Sequence, residues 1–335
     1  MHCELIVPGL FADASGTRAP SLELLLARGR STVHAGSQSL PMEAWLQAAF
    51  ALEGESLPAG ALSLAGAGGE PGPDCWARAD PVHLRLLRDR LIVVPAAAFA
   101  LSRPEAEALV EALNRHFNEP LVFQVLEAGR WCVRLERQLA SHASSPLDAA
   151  GRDVDLGMRA GGEAGKRSAA LLNEAQMLLH AHPVNAAREA RGEPAVNSLW
   201  LWGAGTAPRV PPSRWRSVSA DDPVARGLAR LSGARERALP EGAEASLQDA
   251  PLDGRHLVVL DALRAPLALG QSAEYAECID ALEKRWFEPL LAALRAGRVG
   301  MVTVHVPDSL DASFETIRGD LRRFWRRPRA LEKYA

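Results

Sequence analysis

The chain has few cysteines and no long apolar run. Its four cysteines stand far apart, at Cys3, Cys75, Cys132 and Cys278. Because none forms a Cys-x-x-Cys pair, a zinc ribbon and a disulfide framework are excluded, and a reducing compartment is indicated. The longest apolar run, residues 91–101, contains Pro95 and is too short to cross a bilayer. Glu4 and Pro8 interrupt the first apolar stretch, so we expect no signal peptide. The prediction is a cytoplasmic protein with no membrane partner.

A strong charge of one sign and the common nucleophile motifs are also missing. The formal net charge is −3, which argues against a protein that coats nucleic acid. A serine-hydrolase elbow is absent, since Gly270-Gln271-Ser272 lacks the second glycine. No Walker A loop and no Gly-x-Gly-x-x-Gly run occur. What remains is an ordinary globular composition, with 47% hydrophobic and 24% charged residues over 335 positions, enough for about two domains.

Apolar strand patterns alternate with helical patterns along the chain. Strands are predicted at Leu5–Val7, Arg90–Val94, Leu121–Leu126, Arg130–Glu136, Asn197–Trp202, His256–Leu260 and Val299–Val306. Helices are predicted at Pro20–Arg28, Pro41–Leu52, Ser102–Phe117, Arg167–His180, Asp222–Leu231 and Glu274–Leu294, and residues 54–74 are predicted to be a loop. This alternation favours an α/β fold with a mostly parallel sheet covered on both faces. The strand, helix and hairpin of residues 90–136 indicate a small inserted α+β subdomain.

The densest set of polar side chains lies in residues 182–216. A predicted strand there ends in Gly203-Ala204-Gly205, and such glycines let backbone N–H groups approach an anion beyond a strand end. Arginine guanidinium groups suit phosphate and carboxylate. We therefore predict a site for a small phosphorylated or carboxylated ligand. Its candidate residues are His182, Asn185, Arg188, Arg191, Asn197, Trp202, Gly203, Gly205 and Arg209.

Each of these predictions has a structural alternative. The segment can be a strand–loop buttress whose arginines are solvated or pair with acidic neighbours. Of His180 and His182, one can be buried and the other can cap a helix, and His83 can be a hydrogen-bonded turn residue, rather than any of the three being a metal ligand.

The C-terminal segment interleaves arginines with aromatic residues. Arginine occupies positions 318, 322, 323, 326, 327 and 329, around Phe324 and Trp325. Such a pattern can contact the phosphates and bases of nucleic acid, so nucleic-acid binding is a second alternative function. The simpler interpretation is an amphipathic terminal helix that packs its aromatic residues on the core.

One stretch resembles a known family. Residues 173–205 read NEAQMLLHAHPVNAAREARGEPAVNSLWLWGAG. This is similar to the His-Pro-Val-Asn, Gly-x-Pro and Trp-x-Gly-x-Gly run of the archaeal-type cofactor-independent phosphoglycerate mutases, which belong to the alkaline-phosphatase superfamily. With the Asp-Pro-Val-His run at 80–83, it resembles more closely still the proteobacterial RpfE-type regulatory or mutase-related proteins. The specific motifs cover residues 76–90 and 170–205.

The resemblance implies a fold and a domain division. It implies a three-layer α/β/α core of alkaline-phosphatase type with a mostly parallel sheet. Residues 1–75 and 166–335 would form this core, and residues 76–165 would form the inserted α+β subdomain with its linkers.

This sequence lacks several of the metal-ligating residues that the resemblance implies for a two-metal centre. The resemblance implies an aspartate after the first strand, where this chain has Pro8-Gly9-Leu10, and a late Asp-His pair, where it has Val304-His305. Two-metal sites need several converging carboxylates and histidines. We therefore predict no metal cofactor. A shifted ligand set for two divalent ions such as manganese would use Asp13, Asp261, His305 and Asp308.

The sequence is compatible with two functions. The favoured one is a degenerate mutase-like protein that binds a small anionic or phosphorylated ligand, or a protein partner, in a regulatory role. The alternative is a metal-dependent cofactor-independent phosphoglycerate mutase or phosphatase, in which the metals would clamp the transferring phosphoryl oxygens. No catalytic residue is identified, because Ser15 and Ser21 are more simply turn or N-cap residues.

Overall fold

The described chain divides into two compact units. The computed structural model describes residues 1–33, 41–54, 56–87, 90–119, 121–136, 139, 144–150, 162–249, 253–307 and 311–334. One unit, here the parallel unit, comprises residues 1–51 and 210–335, and the other, the antiparallel unit, comprises residues 52–209. Among the described helices, none is both long enough and apolar enough to cross a bilayer.

The elements of the described residues are as follows. The strands are β1 (His2–Ile6), β2 (Arg30–Val33), β3 (Cys75–Leu87), β4 (Arg90–Pro95), β5 (Val122–Glu127), β6 (Arg130–Leu135), β7 (Ser198–Gly205), β8 (Ser217–Ser219), β9 (Arg235–Arg237), β10 (Arg255–Val259), β11 (Met301–Val306) and β12 (Ala312–Ile317). The α-helices are α1 (Pro20–Arg28), α2 (Met42–Ala49), α3 (Ala59–Gly66), α4 (Arg103–Phe117), α5 (Pro146–Ala149), α6 (Glu163–His180), α7 (Pro183–Ala190), α8 (Pro223–Leu231), α9 (Ala243–Asp249), α10 (Arg264–Ala268), α11 (Ser272–Leu282) and α12 (Glu288–Ala296).

The parallel unit is built on a seven-stranded sheet of order β2-β12-β11-β1-β10-β8-β9. Strand β1 is central and runs parallel to both neighbours, β10 and β11, while β12 is antiparallel to β11 and to β2. Short parallel strands β8 and β9 extend the sheet beyond β10. The sheet confirms the predicted α/β class with a mostly parallel sheet.

The two faces of this sheet differ in polarity. Successive residues of a strand point to opposite faces. Cys3 and Leu5 of β1 lie in an apolar core with residues of α1, α11 and α12. His2 and Glu4 lie on the opposite face. On the neighbouring strand β11, Thr303 is in register with Glu4. The predicted helix 274–294 is divided between α11 and α12 by a π-helical turn, Glu283–Phe287.

The antiparallel unit is larger than the predicted subdomain. Its sheet has the order β4-β3-β6-β5, with β7 paired to β3. Strand β7 is hydrogen-bonded to β3 over residues 76–82, and both strands lie in the unit of residues 52–209. The predicted division into a core of 1–75 and 166–335 and an inserted subdomain of 76–165 stays a prediction. Residues 54–74, predicted as a loop, contain helix α3, whose residues are all buried.

Candidate functional site

The ends of the predicted ligand-binding segment differ in environment. His182 caps helix α7: its Nδ1 accepts a hydrogen bond from the backbone N–H of Val184 at 3.2 Å. Burial, aided by the charge of Arg115, lowers the pKa of His182, which suits the neutral, accepting imidazole. The capping alternative therefore describes this histidine. Arg209, at the other end, is exposed.

Two asparagines of the segment bind backbone groups of the chain itself. Asn185 is buried, and its Nδ2 donates to the carbonyls of Leu179 and Val196, both at 2.8 Å. Its Oδ1 accepts from the Val196 N–H at 2.8 Å. The amide of Asn197 pairs with both backbone groups of Leu84, accepting at 2.7 Å and donating at 2.9 Å. Both amides thus connect elements of the antiparallel unit.

Arg188 lies on α7 with its side chain fully buried. Its Nε donates to the Pro194 carbonyl and its Nη1 to the Ala100 carbonyl, both at 2.8 Å. Nη1 also lies 3.1 Å from Oε2 of Glu105. The guanidinium carbon stands 5.4 Å from the centroid of the Phe99 ring. In the described part of the chain Nη2 has no hydrogen-bond partner. These contacts are those expected of a buttress.

Glu105 connects Arg188 and Arg191 to the start of helix α4. It forms a capping box with Ser102, whose backbone N–H donates to Glu105 Oε2 at 2.9 Å. Arg191 Nη2 donates to Glu105 Oε1 and to Glu193 Oε2, both at 2.7 Å. Burial would raise the pKa of Glu105, but hydrogen bonds from Ser102 and Arg191 and the charge of Arg188 lower it to about 2. Two arginines therefore face two carboxylates, and an added anion would compete with them.

A second buried ion pair lies on strand β3. Arg78 Nη2 and Asp80 Oδ1 are 2.6 Å apart. Trp202 on β7 donates from Nε1 to Asp80 Oδ2 at 2.7 Å, and Arg78 donates to Ser63 Oγ at 3.0 Å. The single polar donor of Trp202 is thus engaged. His83 lies in the same strand, not in the predicted turn, and its Nδ1 donates to a backbone carbonyl at 2.9 Å.

The glycines of β7 allow a close approach to α3. Gly203 has a φ of +57°, and a Cβ there would lie 2.5 Å from Cβ of Ala59. A Cβ on Gly205 would lie 2.8 Å from Cβ of Pro58. Packing between two elements of the antiparallel unit accounts for both glycines. The ligand-binding role predicted for this segment stays a prediction, and its observed contacts lie within the chain.

The shifted metal set, Asp13, Asp261, His305 and Asp308, is not brought together in the described residues. Asp13 accepts from Ser272 Oγ at 2.6 Å, and His305 Nε2 lies 3.2 Å from Glu4 Oε2. Asp308 lies outside the described residues. Within those residues, no three His, Cys, Asp or Glu side chains are grouped so that they could hold a metal ion.

The carboxyl end of β1 is occupied by apolar side chains and a tyrosine. Tyr275 Oη donates to the carbonyls of Gly9 at 2.7 Å and of Leu10 at 2.9 Å. Leu10 and Leu263 are fully buried there, and a Cβ on Gly9 would lie 3.1 Å from Leu267 Cδ2. Ligands of open α/β sheets bind beyond the carboxyl ends of the strands. Here, packed side chains fill that place beside the central strand.

Sequence reasoning missed a charged cluster around Glu4. This carboxylate is fully buried, accepts from Arg255 Nε, and lies 3.8 Å from Arg214 and 3.2 Å from His305. Burial would raise the pKa of Glu4, but hydrogen bonds from His305 and Arg255 lower it to about 2. The Trp45 ring lies 5.0 Å from the His305 ring. The available signal was a carboxylate inside a buried strand, which requires partners.

The C-terminal segment is not the amphipathic helix that the pattern predicted. After β12 the chain forms short 3₁₀ turns at Arg318–Arg322 and Leu331–Lys333. Phe324 is 78% and Trp325 67% exposed, so these rings do not pack on the core. Pro328 lacks the N–H that a continuous helix requires.

Comparison with known proteins shows which proteins this chain is related to. The 2,3-bisphosphoglycerate-independent phosphoglycerate mutase of Methanosarcina barkeri is 31% identical over 117 residues, which is 34% of this chain and 29% of that one. The probable enzyme of the same name from Geobacter sulfurreducens is 28% identical over 135 residues, 40% and 34% of the two chains. The chain is a distant relative of the archaeal-type cofactor-independent phosphoglycerate mutases.

The likeness to these mutases is partial in sequence and extensive in fold. The chain matches only about a third of the length of these curated relatives, and no family model matches it. The structure of the PH0037 protein from Pyrococcus horikoshii is 14% identical and aligns over 94% of this chain and 86% of that one, with a TM-score of 0.57. That likeness shows the fold. The predicted mutase resemblance is confirmed, and its RpfE-type part stays a prediction.

Proposed function

We propose that this mutase relative is a binding protein that recognises a small phosphorylated or otherwise anionic ligand and does not carry out two-metal phosphoryl transfer. Kinship with the mutases supports a phosphorylated ligand. The regulatory role implied by the RpfE-type resemblance is the finer form of this proposal, in which the ligand or a protein partner acts by binding alone.

The described residues beside the central strand do not fit two divalent ions. The single observation that carries the proposal is the Tyr275 hydroxyl, which donates to the carbonyls of Gly9 and Leu10. This hydrogen-bonded, leucine-lined packing stands where a two-metal enzyme needs carboxylate and imidazole ligands. The residues that follow β1 in this chain include Pro8, Gly9 and Leu10. None of these three has a side chain that can bind a metal ion.

Metal analysis combined with assays tests the proposal. The purified full chain is exchanged into manganese-supplemented and then metal-free buffer, and its metal content is measured. Mutase activity on 3-phosphoglycerate and phosphatase activity on p-nitrophenyl phosphate are measured with manganese and with a chelator. We expect no retained metal and no chelator-sensitive activity.

Two variants sharpen this test. Asp13→Asn and Asp261→Asn should behave as the wild-type chain does. About two tightly held ions per chain, as a two-metal site requires, would contradict the proposal. Loss of those ions in either variant would identify the ligands.

A further inference from the structure

An open cavity lies in the parallel unit, beside the edge strand β2. Its volume is about 730 Å³, within the range of small-molecule sites, roughly 300–1,000 Å³. Leu26, Phe314 and Tyr334 contribute apolar surface to it. Ser31, Trp325 and three arginines of the C-terminal segment also line it. We call it the C-terminal cavity.

The arginines of this cavity are Arg326, Arg327 and Arg329. Arg326 Nη1 donates to the Gly29 carbonyl at 2.7 Å, which holds the segment against the end of α1. In the described residues Arg327 and Arg329 have neither a hydrogen-bond partner nor an acidic partner. No acidic side chain is among the described residues that line the cavity. Unlike the Arg188–Arg191 pair, these guanidinium groups have no carboxylate partner within the described ranges, and they suit a phosphate.

The surroundings carry a local excess of positive charge. Residues 318–334 contain seven basic and two acidic residues, although the whole chain has a net charge of −3. Asp320, one of the two acids, is paired with Arg323 at 2.8 Å. Basic residues are thus concentrated in the segment that contributes to this cavity, and the acidic remainder of the chain disfavours a long polyanion.

Trp325 supplies an exposed aromatic surface at the rim. Its side chain is 67% exposed, and Phe324 stands against it edge to face, with the ring centroids 5.3 Å apart. Large exposed aromatic rings beside basic side chains are stacking surfaces for bases. Tyr334 adds a hydroxyl that has no hydrogen-bond partner within the described residues.

We infer that the C-terminal cavity binds a mononucleotide, with the base against Trp325 and the phosphate between Arg327 and Arg329. This inference deepens the proposed function and rests on its phosphorylated ligand. One planar ring and one phosphate account for the aromatic and cationic groups together. The volume suits a single nucleotide.

Calorimetric titration of the full chain tests the inference. The probes are the four nucleoside monophosphates, adenosine, inorganic phosphate and a single-stranded decanucleotide. We expect at least one monophosphate to bind, and adenosine and phosphate to bind at least about tenfold more weakly, because each lacks one of the two interactions.

Matched variants locate the binding. Trp325→Ala should weaken monophosphate binding roughly 5- to 150-fold, the range for loss of one stacking contact. Phe324→Ala, which alters a ring outside the cavity lining, should change it less than about twofold. Arg327→Ala should weaken binding by roughly tenfold or more. Arg322→Ala removes the same charge outside the lining and should have little effect. Melting temperatures of all four variants control for folding.

Three results would overturn the inference. The first is no binding of any monophosphate at about 1 mM, the weakest range of interest. The second is equal losses in Trp325→Ala and Phe324→Ala. The third is a decanucleotide that binds more than about tenfold tighter than the best monophosphate, which would assign the segment to a polynucleotide instead. The proposed function fails separately, through metal-dependent activity.

Discussion

Replacing Arg188 with alanine should destabilise the antiparallel unit severely. The side chain is fully buried and donates to the carbonyls of Pro194 and Ala100. It also faces Glu105, whose other partners are a capping box and Arg191. Alanine would leave two carbonyls without a donor and the Glu105 carboxylate without one of its cations.

The magnitude follows from these contacts. A buried group that loses its partner costs about 1–3 kcal/mol, and breaking one side of a buried ion pair costs about 3–5 kcal/mol. Because Glu105 is 19% exposed and keeps Arg191, we expect about 3–5 kcal/mol for Arg188→Ala and not the sum of the separate terms. The matched control is Arg191→Ala. Arg191 is 48% exposed, so its loss should cost about 1 kcal/mol or less.

Hydrogen exchange resolved by mass spectrometry on the full chain is the appropriate assay, because it reports the opening of each unit separately. Protection in β3, β6 and β7 should fall in Arg188→Ala and stay near the wild-type value in Arg191→Ala. A loss below about 1 kcal/mol for Arg188→Ala, or equal losses in both variants, would refute the buttress interpretation and return Arg188 to the predicted ligand site.

Two further predictions concern Glu4 and Gly203. The pKa of Glu4 is lowered from 4.5 to about 2, so its stabilisation of about 3 kcal/mol is present above pH 4.5 and lost as the pH falls toward 2. The melting-temperature gap between wild type and Glu4→Gln should therefore narrow by more than half from pH 7 to pH 3, and a gap independent of pH would contradict the pKa. Gly203→Ala brings Cβ within 2.5 Å of Ala59, whereas Gly192, with a φ of +74°, has nothing within 4 Å of an added Cβ. Both changes carry the φ strain of about 1 kcal/mol, and we expect Gly203→Ala to cost about 1–3 kcal/mol more in denaturant unfolding; equal costs would show that the approach of α3 does not matter.

Sequence patterns predicted the helices and strands that depend on residues close together in the chain. The helical pattern from Ser102 placed the start of α4 within one residue, and the apolar stretch at Leu5–Val7 located β1, although that strand begins three residues earlier. Strand β2 was missed because its four residues are exposed at the sheet edge and carry no apolar alternation. The pairing of β7 with β3 was missed because residues some 120 positions apart leave no local trace, as at Asp80 and Trp200.

In the candidate site, too, contacts between residues close in sequence were predictable and contacts between distant residues were not. Arginine spacing located Arg188 and Arg191, but their partners, Glu105 and Ala100, are more than 80 residues away, so the sequence could not distinguish a ligand site from a buttress. A capping histidine was predicted for the pair His180 and His182, and His182 has this role, with a partner two residues away. The C-terminal cavity depends on residues from both ends of the chain, and only its arginine and aromatic components were visible in advance.

The central position of β1 has a consequence for synthesis of the chain. Both of its sheet neighbours are encoded far downstream, β10 about 250 and β11 about 300 residues later. At about 5–20 residues per second, β1 waits roughly 15–60 s on the ribosome for its second neighbour. An apolar strand left unpaired for that time is an aggregation hazard. The charged Glu4 in the middle of the nascent strand would oppose self-association of that strand until Arg255 and His305 are synthesised and contact its carboxylate.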